Sequence, residues 1–171
     1  MLGLMGVGKT TVGRSLAQAL GWPVIDSDEA ISRRWGETVR ELAERLGNDE
    51  MHHVEAEQLL EALRETPGSV ICAAASVVDD PGCRRALEQP GVFAVWLQGR
   101  AETLAQRFAT GPHRPIYGPD QERVFRQQLG KRSRWFAEVA QHRVSVDGRS
   151  PQEIVEDILS ALASEDLTSQ H

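Results

Sequence analysis

Residues 3–10, Gly-Leu-Met-Gly-Val-Gly-Lys-Thr, constrain this chain more than any other stretch. They satisfy G-x-x-x-x-G-K-[ST] at every specified position, a pattern whose glycines let backbone N–H groups wrap phosphate oxygens with no Cβ in the way. Gly3, Gly6, Val7 and Gly8 are expected to line that wrap. Lys9 is expected to reach the outer phosphates, and the Thr10 hydroxyl, with Thr11 beside it, to serve a Mg2+ ion and the phosphates. An apolar-periodic stretch from Thr10 to Leu20 follows at once and closes at Gly21, so a helix adds its positive dipole end to the same anion. A loop of this kind sits between a strand and a helix of a parallel sheet, yet only Met1 and Leu2 precede it. A first strand nearly absent is therefore expected, and a chain start set too late is favoured over a strand made from so few residues.

The rest of the chain alternates short β-rich runs with longer helical patterns. Val24-Ile25 ends a run at Asp26; Ser69–Ala74, Val92–Leu97 and Arg143–Val146 form three more, all too short for helices. Between them, Thr38 with Glu41 matches a capping box for a helix that stops at Gly47. Ala56, Leu59, Leu60 and Leu63 repeat at helical spacing, which predicts a helix over Asp49–Glu65. Asp80-Pro81 reads as a cap followed by proline at the first helical position. Ser150-Pro151 with Glu153 opens a last helix to about Ala163, leaving a polar, frayed tail over 164–171. Strands alternating with helices imply a parallel sheet covered on both faces.

Composition narrows the function classes. At 171 residues with 40% hydrophobic and 26% charged residues, one domain over 1–171 with its own core is expected, and a disordered or fibrous chain is excluded. A formal charge of −6 argues against a nucleic-acid partner, which usually selects a basic surplus. Two cysteines, Cys72 and Cys83, make neither a disulfide framework nor a zinc cluster. No apolar stretch reaches membrane-span length and no signal-peptide pattern opens the chain. The expectation is a cytoplasmic monomer with no membrane partner.

Sixteen residues after Thr10 comes Ile25-Asp26-Ser27-Asp28 at the end of a short run. A D-x-D there places two carboxylates at the carboxyl end of the sheet beside the phosphate loop. Asp26 is suited to a metal shell and Asp28 to accepting the proton of an attacking hydroxyl, although aspartates at such a place also cap helices.

On these residues the chain resembles the shikimate kinases, small P-loop kinases of the nucleoside-monophosphate-kinase type. The likeness rests on GLMGVGKTTVGRSLA, on DSD, on Glu55 in the position of a substrate-helix glutamate, on His113-Arg114-Pro115, and on KRSRWFAEVA at 131–140. It implies a three-layer α/β sandwich with a parallel sheet in the order 2-3-1-4-5. It also implies ATP as donor with Mg2+, and a hydroxyl of shikimate or a similar small polyol acid as acceptor. Lys9, Asp28 and Arg114 would then be catalytic, with Arg114 on a lid at 111–119 that is too rich in Gly and Pro for a helix. Arg107 would join Arg114 at the nucleotide. Asp28, His52, Glu55, Ala75, Ser76 and Arg132 would face the acceptor. Two departures stand out: His52 replaces an arginine three residues before the glutamate, and Ala74-Ala75-Ser76 replaces three glycines. Gluconate kinases share the loop and a comparable lid and also lack those glycines. Three readings therefore stand: a shikimate-type kinase, a gluconate-type or other metabolite kinase, and a nucleotide-binding relative without an acceptor site.

Overall fold

A computed structural model describes residues 1–109 and 120–168. Its helices begin and end where the side chains dictate. Helix α1 (Lys9–Leu20) stops at Gly21, whose left-handed φ of 68° turns its N–H back onto Ala17 and Gln18. Strand β1 (Val24–Asp26) runs straight into α2 (Ser27–Trp35) because Asp26 Oδ1 accepts the first free amides, those of Asp28 and Glu29, at 3.1 and 3.4 Å. Helix α3 (Val39–Leu46) opens on the Thr38–Glu41 capping box, and α4 (Asn48–Glu65) follows Gly47. Strand β2 (Val70–Cys72) leads into a 3-10 turn (Ala75–Asp79), then α5 (Pro81–Leu87), where Asp80 accepts from the Cys83 amide at 2.8 Å. Strand β3 (Val95–Gln98), α6 (Ala101–Ala109), α7 (Gln121–Val139), β4 (His142–Ser145) and α8 (Pro151–Thr168) complete the described chain.

Three boundaries differ from expectation by two residues or more, and β4, α1 and α4 by one. Strand β2 is shorter than Ser69–Ala74 because the chain leaves the ladder to enter the 3-10 turn. Strand β3 begins at Val95 rather than Val92, since the Val92 amide is still bonded to Gln89 in the turn after α5, at 3.1 Å. Helix α8 continues to Thr168 instead of stopping near Ala163. The polar residues there do not end it, because Ser160 and Ser164 satisfy their hydroxyls on carbonyls one turn back, each at 2.9 Å.

Strands β1 and β2 pair in parallel, as do β3 and β4. Met1 and Leu2 lie between the two pairs. The Met1 amine donates to Ile71 O at 2.7 Å and Ala73 N–H to Met1 O at 3.1 Å; Leu2 N–H donates to Val95 O at 2.7 Å and Leu97 N–H to Leu2 O at 3.0 Å. Two residues thus bridge the strand pairs at the end where the phosphate loop begins. Towards the other end lies a cavity of about 550 Å³, with Met1, Leu20, Trp22, Leu63, Phe93 and Leu162 among its walls. The Met1 amine is buried there, which pushes its pKa down.

Helix α1 packs on α8 and on β1 and β2, while α5 packs on both α4 and α7. The main core includes Trp96 stacked on Phe136 and Phe108 edge-on to Phe125, with centroids 5.5 and 5.6 Å apart. A second small core of Ile31, Leu42, Met51 and Val54 joins α2, α3 and α4. That cluster holds the first half of α4 against α2 and α3. Among the described residues no helix is long and apolar enough to cross a membrane.

Candidate active site

The phosphate loop leaves Leu2 with Gly3, Gly6 and Gly8 all at positive φ, 136°, 78° and 97°. Gly3 is required twice over, since a Cβ there would also lie 2.6 Å from the carbonyl oxygen of Leu97 in β3. At Gly8 nothing would meet a Cβ, so its need is conformational alone. Val7 is buried against the core and anchors the loop, whereas Thr11 is exposed on the first turn of α1. The Lys9 ammonium donates to Gly3 O at 2.8 Å and Leu4 O at 3.2 Å, so the lysine lies across its own loop.

The Thr10 hydroxyl donates to Asp26 Oδ2 at 2.7 Å. One oxygen of Asp26 therefore caps α2 and the other meets Thr10. A hydroxyl and a carboxylate at that separation form the hard-oxygen set that suits Mg2+, which takes one or two protein oxygens and fills its shell with water and phosphate. Asp28, one residue into α2 from Ser27, is exposed on the same side.

A cleft of about 290 Å³ runs along the loop, lined by Gly6, Gly8, Thr11, Arg107, Arg149 and Pro151 among others. Arg107 on α6 donates to Val146 O at 3.4 Å. Arg149 is fixed by Asp157 at 2.7 Å and by the carbonyl of Glu153 at 2.8 Å. Asp157 also meets His142 Nε2 at 2.7 Å, and these two hydrogen bonds hold its carboxyl below the usual range. Sequence reasoning missed Arg149 and Pro151, reading Ser150-Pro151 only as a helix start. The one usable signal was an arginine directly before that cap.

The acceptor half is built from α4, the 3-10 turn and α7. Ser76, buried with Ala75 in the turn, donates its hydroxyl to Glu55 Oε2 from α4. Burial raises the Glu55 pKa; the Ser76 bond works against that, Asp28 adds to it, and Arg132 and Lys9 oppose it. Glu55 is thus within electrostatic reach of Asp28, Lys9 and Arg132, which links the two halves of the site. Arg132, buried on α7, donates to Asp79 Oδ2 through Nη2 at 2.7 Å and Nε at 3.0 Å, and Nη1 reaches Gln128 at 3.3 Å. Lys131 adds a contact to the same Oδ2 at 3.3 Å. Burial pushes the Asp79 carboxyl up, but the hydrogen bond and charge of Arg132 outweigh it and the pKa is lowered. No donor among the described residues reaches the buried Oδ1 of Asp79, a deficit of about 1–3 kcal/mol. His52 is half-buried next to this pair; burial first, then the Arg132 cation, lower its pKa.

The structure therefore brings Lys9, Thr10, Asp26, Asp28, Glu55, Ser76 and Arg132 to one side of the molecule. It adds Asp79, to which the sequence reading assigned no role, having given the neighbouring Asp80 that of a cap. Arg114 and the lid at 111–119 lie outside the described residues.

A model of the shikimate kinase family matches residues 5–163. The shikimate kinase of Mycobacterium avium (strain 104) is 35% identical over 167 residues, covering 97% of this chain and 93% of that protein. Among solved structures, shikimate kinase from Acinetobacter baumannii in complex with shikimate superposes with a TM-score of 0.90 at 29% identity, covering 97% of this chain and 92% of that one. A gluconokinase from Sinorhizobium meliloti superposes with a TM-score of 0.62 at 25% identity, covering 99% and 94%. A phosphate loop alone is shared by many activities, but a match extending through α4, α7 and α8 is not: this chain belongs to the shikimate kinase family, phosphotransferases that act on a hydroxyl group.

Proposed function

We propose that the protein transfers the γ-phosphoryl group of ATP to a hydroxyl of shikimate or a closely similar small polyol acid. The observation that carries this reading is the arrangement around Glu55. Its carboxyl accepts from the buried Ser76 hydroxyl and feels the charges of Asp28, Lys9 and Arg132, so a polyol seated against Ser76 and Glu55 is brought to the phosphates. Asp28 accepts the proton of the attacking hydroxyl. Lys9 moves from the carbonyls of Gly3 and Leu4 to the phosphates, where it offsets the charge that spreads over the transferring oxygens. Thr10 and Asp26 hold Mg2+, which when bound neutralises phosphate charge. Arg107, Arg149 and Pro151 take the nucleotide side of the cleft, and Arg114, outside the described residues, is assigned to the phosphates. Because phosphoryl transfer depends mainly on positioning and electrostatics, these groups suffice without a covalent intermediate. The protein works as a cytoplasmic monomer.

Gluconate is the second candidate acceptor, favoured by His52 and Ala74-Ala75-Ser76 and by the likeness to the gluconokinase structure. ADP release measured against shikimate, gluconate and other polyol acids decides between them. Saturable release with shikimate, lost in Asp28→Asn, supports the first reading. Release with gluconate alone supports the second. ATP binding with no turnover on any acid leaves a nucleotide-binding relative.

A further inference from the structure

Among the described residues Arg132 is the one charged residue that is buried. A buried guanidinium must be matched, either by a ligand or by the protein. Here the protein matches it: Asp79 Oδ2 takes two of its N–H groups, at 2.7 and 3.0 Å, and Gln128 takes a third. The match leaves Asp79 Oδ1 buried with no donor among the described residues, so the pair is not arranged for the benefit of Asp79. Asp79 closes the same five-residue turn that offers Ser76 to Glu55. Of the other groups in reach, Asp28, Glu55 and Ser76 favour hydroxyl donors over an anion, and the cation of Lys131 is held by the same Asp79 oxygen at 3.3 Å.

We propose that Asp79 sets how strongly the acceptor site holds a carboxylate, because it already takes two N–H groups of the Arg132 guanidinium and its charge competes with that of an anionic acceptor. Asp79 is a positioning residue in this scheme and acts on the acceptor through Arg132. Its consequence is weak discrimination between a polyol acid and the corresponding neutral polyol. The inference rests on the acceptor reading proposed above.

The test uses the full chain with a non-hydrolysable ATP analogue and titrates two ligands by calorimetry. One is shikimate, the other its neutral analogue in which hydroxymethyl replaces the carboxylate. Wild type should bind the two within about threefold of each other. Asp79→Asn keeps the shape of the side chain and removes its charge; it should bind shikimate about tenfold more tightly, the value of one charge-assisted contact, with the neutral analogue unchanged. In turnover the gain should appear in KM, with kcat held within about twofold. Asp79→Ser should behave alike, and adding Arg132→Gln to Asp79→Asn should erase the gain. Unchanged or weaker shikimate binding in both Asp79 variants, an equal gain for the neutral analogue, or no shikimate binding by any of the proteins overturns the role of Asp79. Failure of the acceptor reading is a different result: shikimate binds and neither wild type nor Asp79→Asn phosphorylates it.

Discussion

Lys9 and Gly13 sit four residues apart on α1 and answer to different demands. Lys9 rests on loop carbonyls at 2.8 and 3.2 Å and anchors no core. Lys9→Ala should therefore lower kcat by about 10²–10³, the usual cost of one lost electrostatic donor, with Tm nearly unchanged; ADP release and thermal unfolding measure the two separately. Gly13 is a packing position, where a Cβ would fall 2.3 Å from Cys72 Sγ. Gly13→Ala should cost about 1–3 kcal/mol by overpacking, seen as a lower denaturant midpoint at constant m-value. His52 supplies a pH test. Burial and the Arg132 cation hold its pKa below the ordinary value of 6.5, so falling pH charges it only below that point. The KM for shikimate should stay flat from about pH 8 to 7 and fall only below about 6.5, and His52→Gln should remove the fall. A drop already complete at pH 7 would show that another group titrates. At this scale the sequence was legible where structure is local: the loop glycines take positive φ, and Asp26 caps the helix that follows it. The pairing of Asp79 with Arg132 was not, because 53 residues separate them and only the packing of α7 on the 3-10 turn makes them neighbours.

Element ends divide in the same way. Caps were readable because a cap is a bond across three residues: Thr38–Glu41 and Ser150–Glu153 both close reciprocally, backbone to side chain. Strand ends were not, because they depend on what the partner strand offers, and so Val92 stays in a turn while Gln98 joins β3. The two caps also make a matched experiment. Ser150→Ala and Thr38→Ala should each cost about 0.5–2 kcal/mol of stability. Only Ser150 lies between Arg149 and Pro151, two walls of the cleft along the phosphate loop. Its loss should weaken ATP binding several-fold, about 1 kcal/mol or less, while Thr38→Ala leaves the ATP affinity unchanged. Equal ATP affinities for both variants would separate the α8 cap from the nucleotide.

The whole molecule is organised about a narrow seam. The pairs β1–β2 and β3–β4 are linked through the backbone of Met1 and Leu2, and the phosphate loop departs from the same point. Leu2 is buried to 1% exposure and, with Met1, lines the 550 Å³ cavity. A side chain at such a seam has few neighbours able to close over its loss, so Leu2→Ala should cost about 2–5 kcal/mol, towards the upper end of that range. The loss should also be spatially specific. The amides of Ala73 and Leu97 donate to Met1 O and Leu2 O, at 3.1 and 3.0 Å, whereas the Val146 amide donates to Gln98 O within the β3–β4 pair, at 2.8 Å. Under native conditions Leu2→Ala should speed hydrogen exchange at Ala73 and Leu97 more than at Val146, because the seam opens before either strand pair does. Leu42→Ala, in the separate core of α2, α3 and α4, should produce a comparable stability loss without that order. ATP binding should weaken in the Leu2 variant, since Gly3 holds its place against Leu97 O only while the seam is closed. If all three amides accelerate together, the two strand pairs are held by their helices rather than by Met1 and Leu2, and the loop is anchored from α1 alone.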